Sequence, residues 1–292
     1  MPAQFLIYFL PVVVAFATIE ALVLWRRRGH YDWRAYASSL GNMLARHAIN
    51  LLVPLSLAGP ILAWAYSHRL FTIELDGWLA LALLFFGQEF CYYWLHRGSH
   101  RIRWFWADHS VHHSPNELNF AAAYRLGWMS KLSGTGIFYL PLVWLGFPPS
   151  AVVATLSINL LYQFWLHAEW IPKLGWLEYV LNTPSHHRVH HAANLDYLDA
   201  NYGGVLIVFD RLFGTFAEER ADLPCRYGLV KPITSYNPVA IAFHEWRAIA
   251  RDLLTARSLG EALGYLFGPP GWRPNGAGLT TEDLRRMATA AE

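Results

Sequence analysis

The fold is decided by two short stretches, His109-Ser110-Val111-His112-His113 and His187-Arg188-Val189-His190-His191. Each has histidines at positions i, i+3 and i+4, a spacing that brings three imidazoles to one side of a helix. A third stretch, His96-Arg97-Gly98-Ser99-His100, adds an i, i+4 pair. Imidazole nitrogen binds iron, zinc and copper, and one metal rarely takes more than a few imidazoles. The three stretches therefore predict a site for two metals.

Ten of the fourteen histidines form the predicted ligand set. His167 belongs to it because it lies at the end of an apolar run, on the same predicted side as the clusters. His186 lies four residues before His190 and is either a ligand or a hydrogen-bonding neighbour of one. The full set is His96, His100, His109, His112, His113, His167, His186, His187, His190 and His191.

The composition indicates a membrane protein. Of the 292 residues, 54% are hydrophobic and only 15% are charged, which is far from an ordinary soluble domain. The chain has 14 tryptophans, a residue type enriched where proteins meet the membrane surface. A net charge of +2 gives no indication of nucleic-acid binding. Its two cysteines, Cys91 and Cys225, predict neither a disulfide nor a cysteine-rich metal site.

Five apolar runs predict an all-α, integral-membrane helical bundle with four or five membrane helices. A spanning helix needs about 20 apolar residues, and the first three runs are long enough. The last two are joined by Pro148-Pro149 and either cross the bilayer or form a hairpin that dips into it. The runs are 5–25, 48–66, 77–95, 132–147 and 151–171.

Basic residues predict the orientation of these helices, since loops rich in arginine and lysine stay in the cytoplasm. Arg26-Arg27-Arg28 follows the first run directly, without a cleavage site, so the run is a retained helix with a cytoplasmic end. Counting crossings from there puts all ten histidines on the cytoplasmic face, whether the last hairpin spans or dips. The histidine site should therefore lie in a cytoplasmic helical cap.

Three regions are predicted: N-terminal membrane helices at 1–75, a catalytic domain at 76–236 and a cytoplasmic helical tail at 237–292. Thr280 or Thr281 is expected to cap the last helix of the tail. The final residues Ala288-Thr289-Ala290-Ala291-Glu292 carry no retention signal for the endoplasmic reticulum, which favours a bacterial inner membrane.

Four further polar residues are candidates for catalytic support. Glu89 is the one acid in the third run, where a carboxylate is costly; it accepts a hydrogen bond from a ligand, pairs with Arg46 or faces water near the interface. Gln163 lies one helical turn before His167 and could orient it. Asp199 and Asn201 follow the last cluster and are either hydrogen-bond acceptors for it or turn residues.

Together, the motifs resemble the fatty acid hydroxylase/sterol desaturase superfamily of membrane di-iron proteins, and most closely its alkylglycerol monooxygenase-like branch. The resemblance implies two irons held by the histidines, with Gln163 standing where many members carry another histidine. It also implies a lipid substrate, O₂ and an external electron donor, because no fused electron-carrier segment is visible. It is carried by 91–97, 109–114, 163–167, 185–191, 201–204 and 210–216.

The predicted function is therefore O₂-dependent hydroxylation of a lipid C–H bond by a membrane oxidoreductase. Arg125 could meet a polar headgroup or simply mark the cytoplasmic side. Desaturation at the same site is the alternative within enzymes, and a hydrolytic zinc site is not excluded by spacing. A non-catalytic metal-binding or transport protein is the alternative from another class, although the runs have few polar residues along a path.

Overall fold

The structure is a computed structural model that describes residues 2–53, 55–276 and 278–290, and of residues 2–8 it gives the backbone alone. The described residues form fifteen α-helices and contain no β-strand, which confirms the all-helical prediction. The helices are α1 Pro2–Arg28, α2 Trp33–Leu52, α3 Ala58–Ser67, α4 Trp78–Arg101, α5 Arg103–His109, α6 Phe120–Ala123, α7 Ser130–Ser133, α8 Leu140–Leu145, α9 Pro149–Leu166, α10 Pro184–His190, α11 Val208–Leu212, α12 Pro238–Ala242, α13 His244–Thr255, α14 Leu259–Phe267 and α15 Thr281–Thr289. Short 3₁₀ helices lie at Thr135–Tyr139, Gly175–Tyr179, Leu195–Tyr197 and Pro274–Gly276.

Within the described residues, two segments are long and apolar enough to cross a membrane, Phe9–Arg28 of α1 and Trp78–Arg101 of α4. Only 22% and 33% of their most apolar windows are buried inside the protein, so most of these residues face outward. The outward faces carry large apolar side chains, such as Phe16 on α1 and Trp78 on α4. Apolar faces of this extent require an apolar environment or a partner. The full number of spanning helices stays a prediction.

Two of the predicted runs are not single helices. The second run is divided between α2 and α3, because Val53 precedes a proline and leaves the helical region with φ −114° and ψ 88°. The fourth run is divided among α7, a 3₁₀ turn and α8, because Gly134 adopts φ 84° there. By contrast, α4 continues past the predicted end at residue 95 and includes His96 and His100.

Two apolar clusters position the helices around the histidines. One cluster joins α3, α4, α8 and α9 and includes Leu84, Leu142 and Val152. The other joins α1, α2, α6 and α9 and includes Ala17 and Met43. Helix α9 belongs to both clusters, so the residue at its end is fixed from two sides.

The C-terminal region, predicted as a helical tail, forms four helices, α12 to α15. Thr280 caps α15 in a capping box with Asp283, as expected for one of the two threonines. Helix α15 returns to the histidine region, where Glu282 pairs with Arg101 of α4. The predicted domain borders stay predictions, and Ala291 and Glu292, part of the tail read for a retention signal, lie outside the described residues.

Candidate metal centre

The sequence clusters occupy short helical segments around one interior space. His96 and His100 lie on the last turns of α4, and the extended residue Ile102 then reverses the chain into α5. His109 ends α5, and His112 and His113 lie in the turn that follows it.

The remaining histidines approach from the opposite side. His167 is the residue at which α9 ends. Pro184 at the first position of α10 starts that helix, which carries His187 and His190, and His191 follows directly. All are buried, with 1–3% exposure, so their nitrogens are withheld from bulk water.

Nine of the ten predicted ligands form two compact groups, in each of which one nitrogen from every ring lies within 4.8 Å of the others. The five-histidine group contains His96, His100, His109, His113 and His190. The four-histidine group contains His112, His167, His187 and His191. His186 lies outside both groups, and its ring packs edge-on against Phe216.

Each histidine triplet contributes to both groups. In the first triplet, His109 and His113 belong to the five-histidine group, while His112 points into the other. In the second triplet, His187 and His191 belong to the four-histidine group and His190 crosses to the five-histidine group. The i, i+4 pair of each triplet thus serves one group and the i+3 residue serves the other. The spacing is repeated in the sequence because both triplets are divided between the groups in the same way.

In the four-histidine group, backbone carbonyls determine which nitrogen carries the proton. His112 donates from Nδ1 to the carbonyl of Arg125 at 3.3 Å, and His167 donates from Nδ1 to the carbonyl of Gln163 at 3.0 Å. A carbonyl only accepts, so both Nε2 atoms carry lone pairs when the rings are neutral. These two Nε2 atoms lie 3.3 Å apart. Two facing lone pairs repel unless a cation lies between them.

The five-histidine group follows the same design. His96 donates from Nδ1 to the carbonyl of Tyr202 at 2.8 Å, and His190 donates from Nδ1 to the carbonyl of Ala200 at 2.9 Å. The free Nε2 of His96 lies 3.1 Å from Nε2 of His109. Buried Nε2 atoms of His100 and His190 have no hydrogen-bond partner among the described residues. Unsatisfied buried nitrogens of this kind are typical of a ligand set.

Burial favours the neutral form of several of these rings. Burial lowers the pKa of His112 to about 4, and burial together with the neighbouring rings lowers the pKa of His109, His187 and His191 well below the usual range. Neutral imidazole is the form that binds a metal. At neutral pH these rings therefore need no deprotonation before ligation.

The spacing between nitrogens also fits a metal. Two nitrogens bound at about 2.1 Å lie about 3.0 Å apart at a right angle and about 3.4 Å apart at a tetrahedral angle. Nε2 of His187 lies 3.2 Å from Nε2 of His167 and 3.1 Å from Nε2 of His191. Nε2 of His113 lies 3.1 Å from Nε2 of His109. The donor set is entirely nitrogen, which suits iron, zinc or copper.

The carbonyls that hold His96 and His190 come from a single buried loop. Asp210 clamps this loop by accepting hydrogen bonds from the amides of Tyr202 and Gly203, both at 2.7 Å. Asn201 adopts φ 58°, a conformation that asparagine tolerates, and its amide nitrogen donates to the carbonyls of His186 and Ala217. Asn201 therefore shapes the loop and has no described contact with a ring of either group.

Asp199 is the predicted support residue whose side chain faces a ring of the groups directly. Its Oδ1 lies 3.5 Å from Nδ1 of His100, and its Oδ2 accepts a hydrogen bond from Arg101 at 2.9 Å. The neighbouring His100 and Arg101 hold the pKa of Asp199 down at about 2, although burial opposes them. The carboxylate is thus ionised and can orient the His100 ring.

Glu89 and Gln163 belong to a polar network one layer away from the rings. Glu89 accepts from the amides of Val205 and Leu206 at 2.8 and 2.9 Å and from the Asn159 side chain, so its partners are neither a ligand histidine nor Arg46. The Gln163 side chain bonds Asn159 and the Tyr92 hydroxyl. It is the main-chain carbonyl of Gln163 that orients His167.

Sequence reasoning missed Asn159, Asp210 and the four carbonyl acceptors. A carbonyl has no signature in a sequence, because every residue has one. Gly204 is a trace that Asn159 leaves in the sequence: a Cβ at position 204 would lie 2.2 Å from the Asn159 side-chain nitrogen, so the contact requires glycine. Gly203 likewise lies where a Cβ would come within 2.2 Å of the Leu206 carbonyl.

Comparison with known proteins agrees with this geometry. The family model for fatty acid hydroxylase matches residues 81–215, which include every histidine of both groups. The chain is 37% identical over 267 residues to the alkylglycerol monooxygenase of Homo sapiens and 35% identical over 267 residues to that of Danio rerio. It is 27% identical over 225 residues to an ornithine lipid hydroxylase of Rhizobium tropici. No solved structure matches the chain.

A helical fold with two buried histidine groups and this match define the class: the chain belongs to the fatty acid hydroxylase family. Within that family it belongs to the alkylglycerol monooxygenase-like branch. The alignments cover 90% of this chain but 59% of the human and Danio rerio proteins, and 73% of this chain but 66% of the Rhizobium tropici protein. The chain thus spans about three fifths of the length of the human and Danio rerio alkylglycerol monooxygenases.

Proposed function

We propose that this protein is a membrane-bound oxidoreductase that hydroxylates a C–H bond of a lipid, using O₂ and electrons from a separate donor. The observation that carries the proposal is the pair of facing Nε2 lone pairs on His112 and His167, 3.3 Å apart, within two all-histidine groups. The names of the relatives, alkylglycerol monooxygenase and ornithine lipid hydroxylase, support a lipid as the substrate.

We further propose that each group holds one iron ion. The nine rings fit this metal because they offer only nitrogen donors, because eight of them are buried, and because their nitrogens have the separations that a shared metal requires. Iron would supply the activation of O₂ toward an unactivated C–H bond, which side-chain acid–base chemistry cannot provide. The overall reaction consumes the C–H bond, O₂, two electrons and two protons, and yields the alcohol and water.

The protein's own contribution is orientation and exclusion of water. Carbonyls of Tyr202, Ala200, Arg125 and Gln163 fix four rings in one tautomer each. Asp199 holds a negative charge beside His100. Burial of every ring in both groups except the half-buried His109 keeps bulk water from the centre, which protects an oxidising site from side reactions.

We place the protein in a membrane as a multi-pass protein, with the histidine centre on the cytoplasmic face, and favour a bacterial inner membrane. The outward apolar faces of α1 and α4 support membrane insertion. The basic cluster Arg26-Arg27-Arg28 at the end of α1 supports the orientation. The lipid then enters from the bilayer, while O₂ and reductant reach the centre from the aqueous side.

The test combines metal content with product analysis. Protein purified in mild detergent from iron-supplemented cells is compared with a His112→Ala/His190→Ala variant, which removes one ring from each group. We expect two irons per chain, their loss in the variant, and a wild-type lipid product that gains one ¹⁸O atom from ¹⁸O₂. A product lacking two hydrogens would indicate desaturation instead. Lipid hydroxylation that persists in the variant would refute the proposal.

A further inference from the structure

A cavity of about 300 Å³ lies beside the four-histidine group, between the start of α2 and the loop that follows the first histidine triplet. Arg125 lines it, and the carbonyl of the same residue accepts the hydrogen bond from His112. Ser114, next to His113, lines it too. The volume is at the low end of small-ligand pockets, which run from about 300 to 1,000 Å³, so it suits a headgroup rather than a whole lipid.

Arg125 differs from the other buried arginines. Arg103 and Arg188 are 4% and 7% exposed, and each is paired with a carboxylate, Glu245 at 2.7 Å and Glu219 at 2.7 Å respectively. Arg125 is 5% exposed and forms no ion pair with a described carboxylate, and the acid that attracts it, Asp32, acts from the wall of the same cavity at longer range. A buried cation without a paired counter-ion is costly, and proteins seldom retain one unless a ligand supplies the charge.

The guanidinium of Arg125 is held in place by neutral acceptors. It donates to the Ser39 hydroxyl at 2.9 Å, to the Ala35 carbonyl at 3.0 Å and to the Ser114 hydroxyl at 3.4 Å. A guanidinium has five N–H donors, so these bonds leave donors free for an anion. Its planar fork suits the two oxygens of a phosphate or carboxylate.

The cavity also carries negative charge, nearer its opening. Glu117 lines the cavity, is exposed, and forms no described ion pair. Asp32 is partly buried; it caps α2 through Oδ1 and accepts from the Tyr236 hydroxyl through Oδ2. A purely anionic headgroup would approach two carboxylates, and a neutral headgroup would leave Arg125 without an ion-pair partner. A headgroup with both charges satisfies the cation and the carboxylates.

The position of the opening favours a lipid. Asp32 lies four residues after Arg28, where the apolar helix α1 ends, so the cavity opens at the level of the predicted membrane surface. We propose that this cavity binds a zwitterionic lipid headgroup, with the anionic group on Arg125 and the ammonium group beside Asp32 and Glu117. The inference rests on the proposed function only in taking the lipid to be the substrate.

The test measures binding without turnover. Iron-loaded full-length protein in non-ionic detergent is titrated with three lysolipids that share one acyl chain: a phosphoethanolamine, a phosphatidic acid and a neutral monoacylglycerol. We expect the phosphoethanolamine to bind about tenfold more tightly than either of the others. Inorganic phosphate is added as a competitor to test whether the cavity binds a free anion instead. If phosphate displaced the lipid at equal concentration, the proposal would be overturned.

Two variants separate the two ends of the headgroup. Arg125→Gln should weaken binding of both phosphate lipids about tenfold and leave the neutral lipid unchanged. Glu117→Gln lies on the exposed rim and should weaken the phosphoethanolamine about threefold without weakening the phosphatidic acid. Glu218→Gln, which removes an exposed carboxylate outside the cavity, is the matched control and should change none of them.

Several outcomes would overturn the inference. Equal affinity for all three lysolipids would do so, and so would tighter binding of the neutral one. If Arg125→Gln fails to fold, as judged by lost iron, the Glu117→Gln result decides, and an equal effect on both phosphate lipids refutes a zwitterion. Hydroxylation of a lipid without any headgroup preference would reject this inference alone, whereas headgroup binding without any product would reject the proposed function alone.

Discussion

The five-histidine group and the four-histidine group share both triplets but are supported differently. In the five-histidine group the support is a polar loop, with the carboxylate of Asp199 beside His100 and two carbonyls of residues 200 and 202 holding His96 and His190. In the four-histidine group it consists of the carbonyls of Arg125 and Gln163, and no described carboxylate pairs with a ring. A carboxylate that accepts a hydrogen bond from an imidazole makes its other nitrogen a stronger metal ligand. We therefore expect the two groups to bind metal with unequal affinity, although their rings are alike.

The largest expected effect comes from removing one ring at a time. His190→Ala should empty the five-histidine group and His187→Ala the four-histidine group, because each ring belongs to one group only. We expect each variant to lose one of two irons and to lower product formation at least about 100-fold. Iron analysis and product analysis measure both effects.

His68→Ala is the control for that pair, since His68 is exposed and stacks on Trp64 outside both groups. It should keep both irons. If either ligand variant lost both irons while remaining folded, the two groups would be one cooperative unit and the comparison would fail.

The next effect tests the carboxylate. Asp199→Asn removes the charge beside His100 but suits the same φ of 58°, because asparagine tolerates that conformation. We expect the iron of the five-histidine group to bind about 10–100-fold more weakly, with the other iron unaffected. Competition against a chelator measures the two affinities. Asp196→Asn, an exposed carboxylate of the same loop, should leave both unchanged.

A smaller effect concerns the loop itself. Asp210→Asn replaces an acceptor of two amides and the Thr215 hydroxyl by a group that presents an N–H to one of them. We expect a loss of about 1.5–3 kcal/mol in the free energy of unfolding and weaker iron binding in the five-histidine group. Thermal unfolding in detergent measures the change in stability, and Asp222→Asn, at an exposed position, is the control. The same melting temperature for both variants would contradict the expectation.

The smallest effect reaches the centre through the tail. Thr280→Ala removes the cap of α15, whose Glu282 pairs with Arg101, the arginine that also contacts Asp199. We expect a loss of about 1 kcal/mol in stability and a slight weakening of the five-histidine group only. Thr289→Ala at the other end of the helix should change neither. A change in the four-histidine group would break the comparison.

Much of this arrangement was predictable from the sequence. The i, i+3, i+4 spacing predicted that the clusters meet, since it fixes side chains on a helix, and the composition predicted the outward apolar helices. The division of each triplet between two groups was not predicted, because the sequence pattern indicates a shared helical side and not which neighbour each ring faces. Gln163 stands where the family resemblance leads one to expect another histidine, and the group beside it has four rings where the other has five.

The roles of Glu89 and Asn201 could not be read from position alone. Both lie close in sequence to histidines, yet both serve the backbone of the loop that carries the ring acceptors. Their partners are amides and carbonyls from distant segments, which become neighbours only when the chain folds. The broken second and fourth runs were mispredicted for a simpler reason: hydropathy averages over a window and passes across a proline or a glycine in the left-handed region.

Because each triplet is divided between the two groups, the backbone itself fixes the distance between them. His112 and His113 are joined by one peptide bond, as are His190 and His191, and in each pair the two rings enter different groups. Bond lengths and the planar peptide change far less than side-chain torsion angles do. Covalent geometry therefore limits the distance between the two sites. Substrates can reshape the walls of the centre, but they cannot separate its two halves without unwinding a helical turn on both sides.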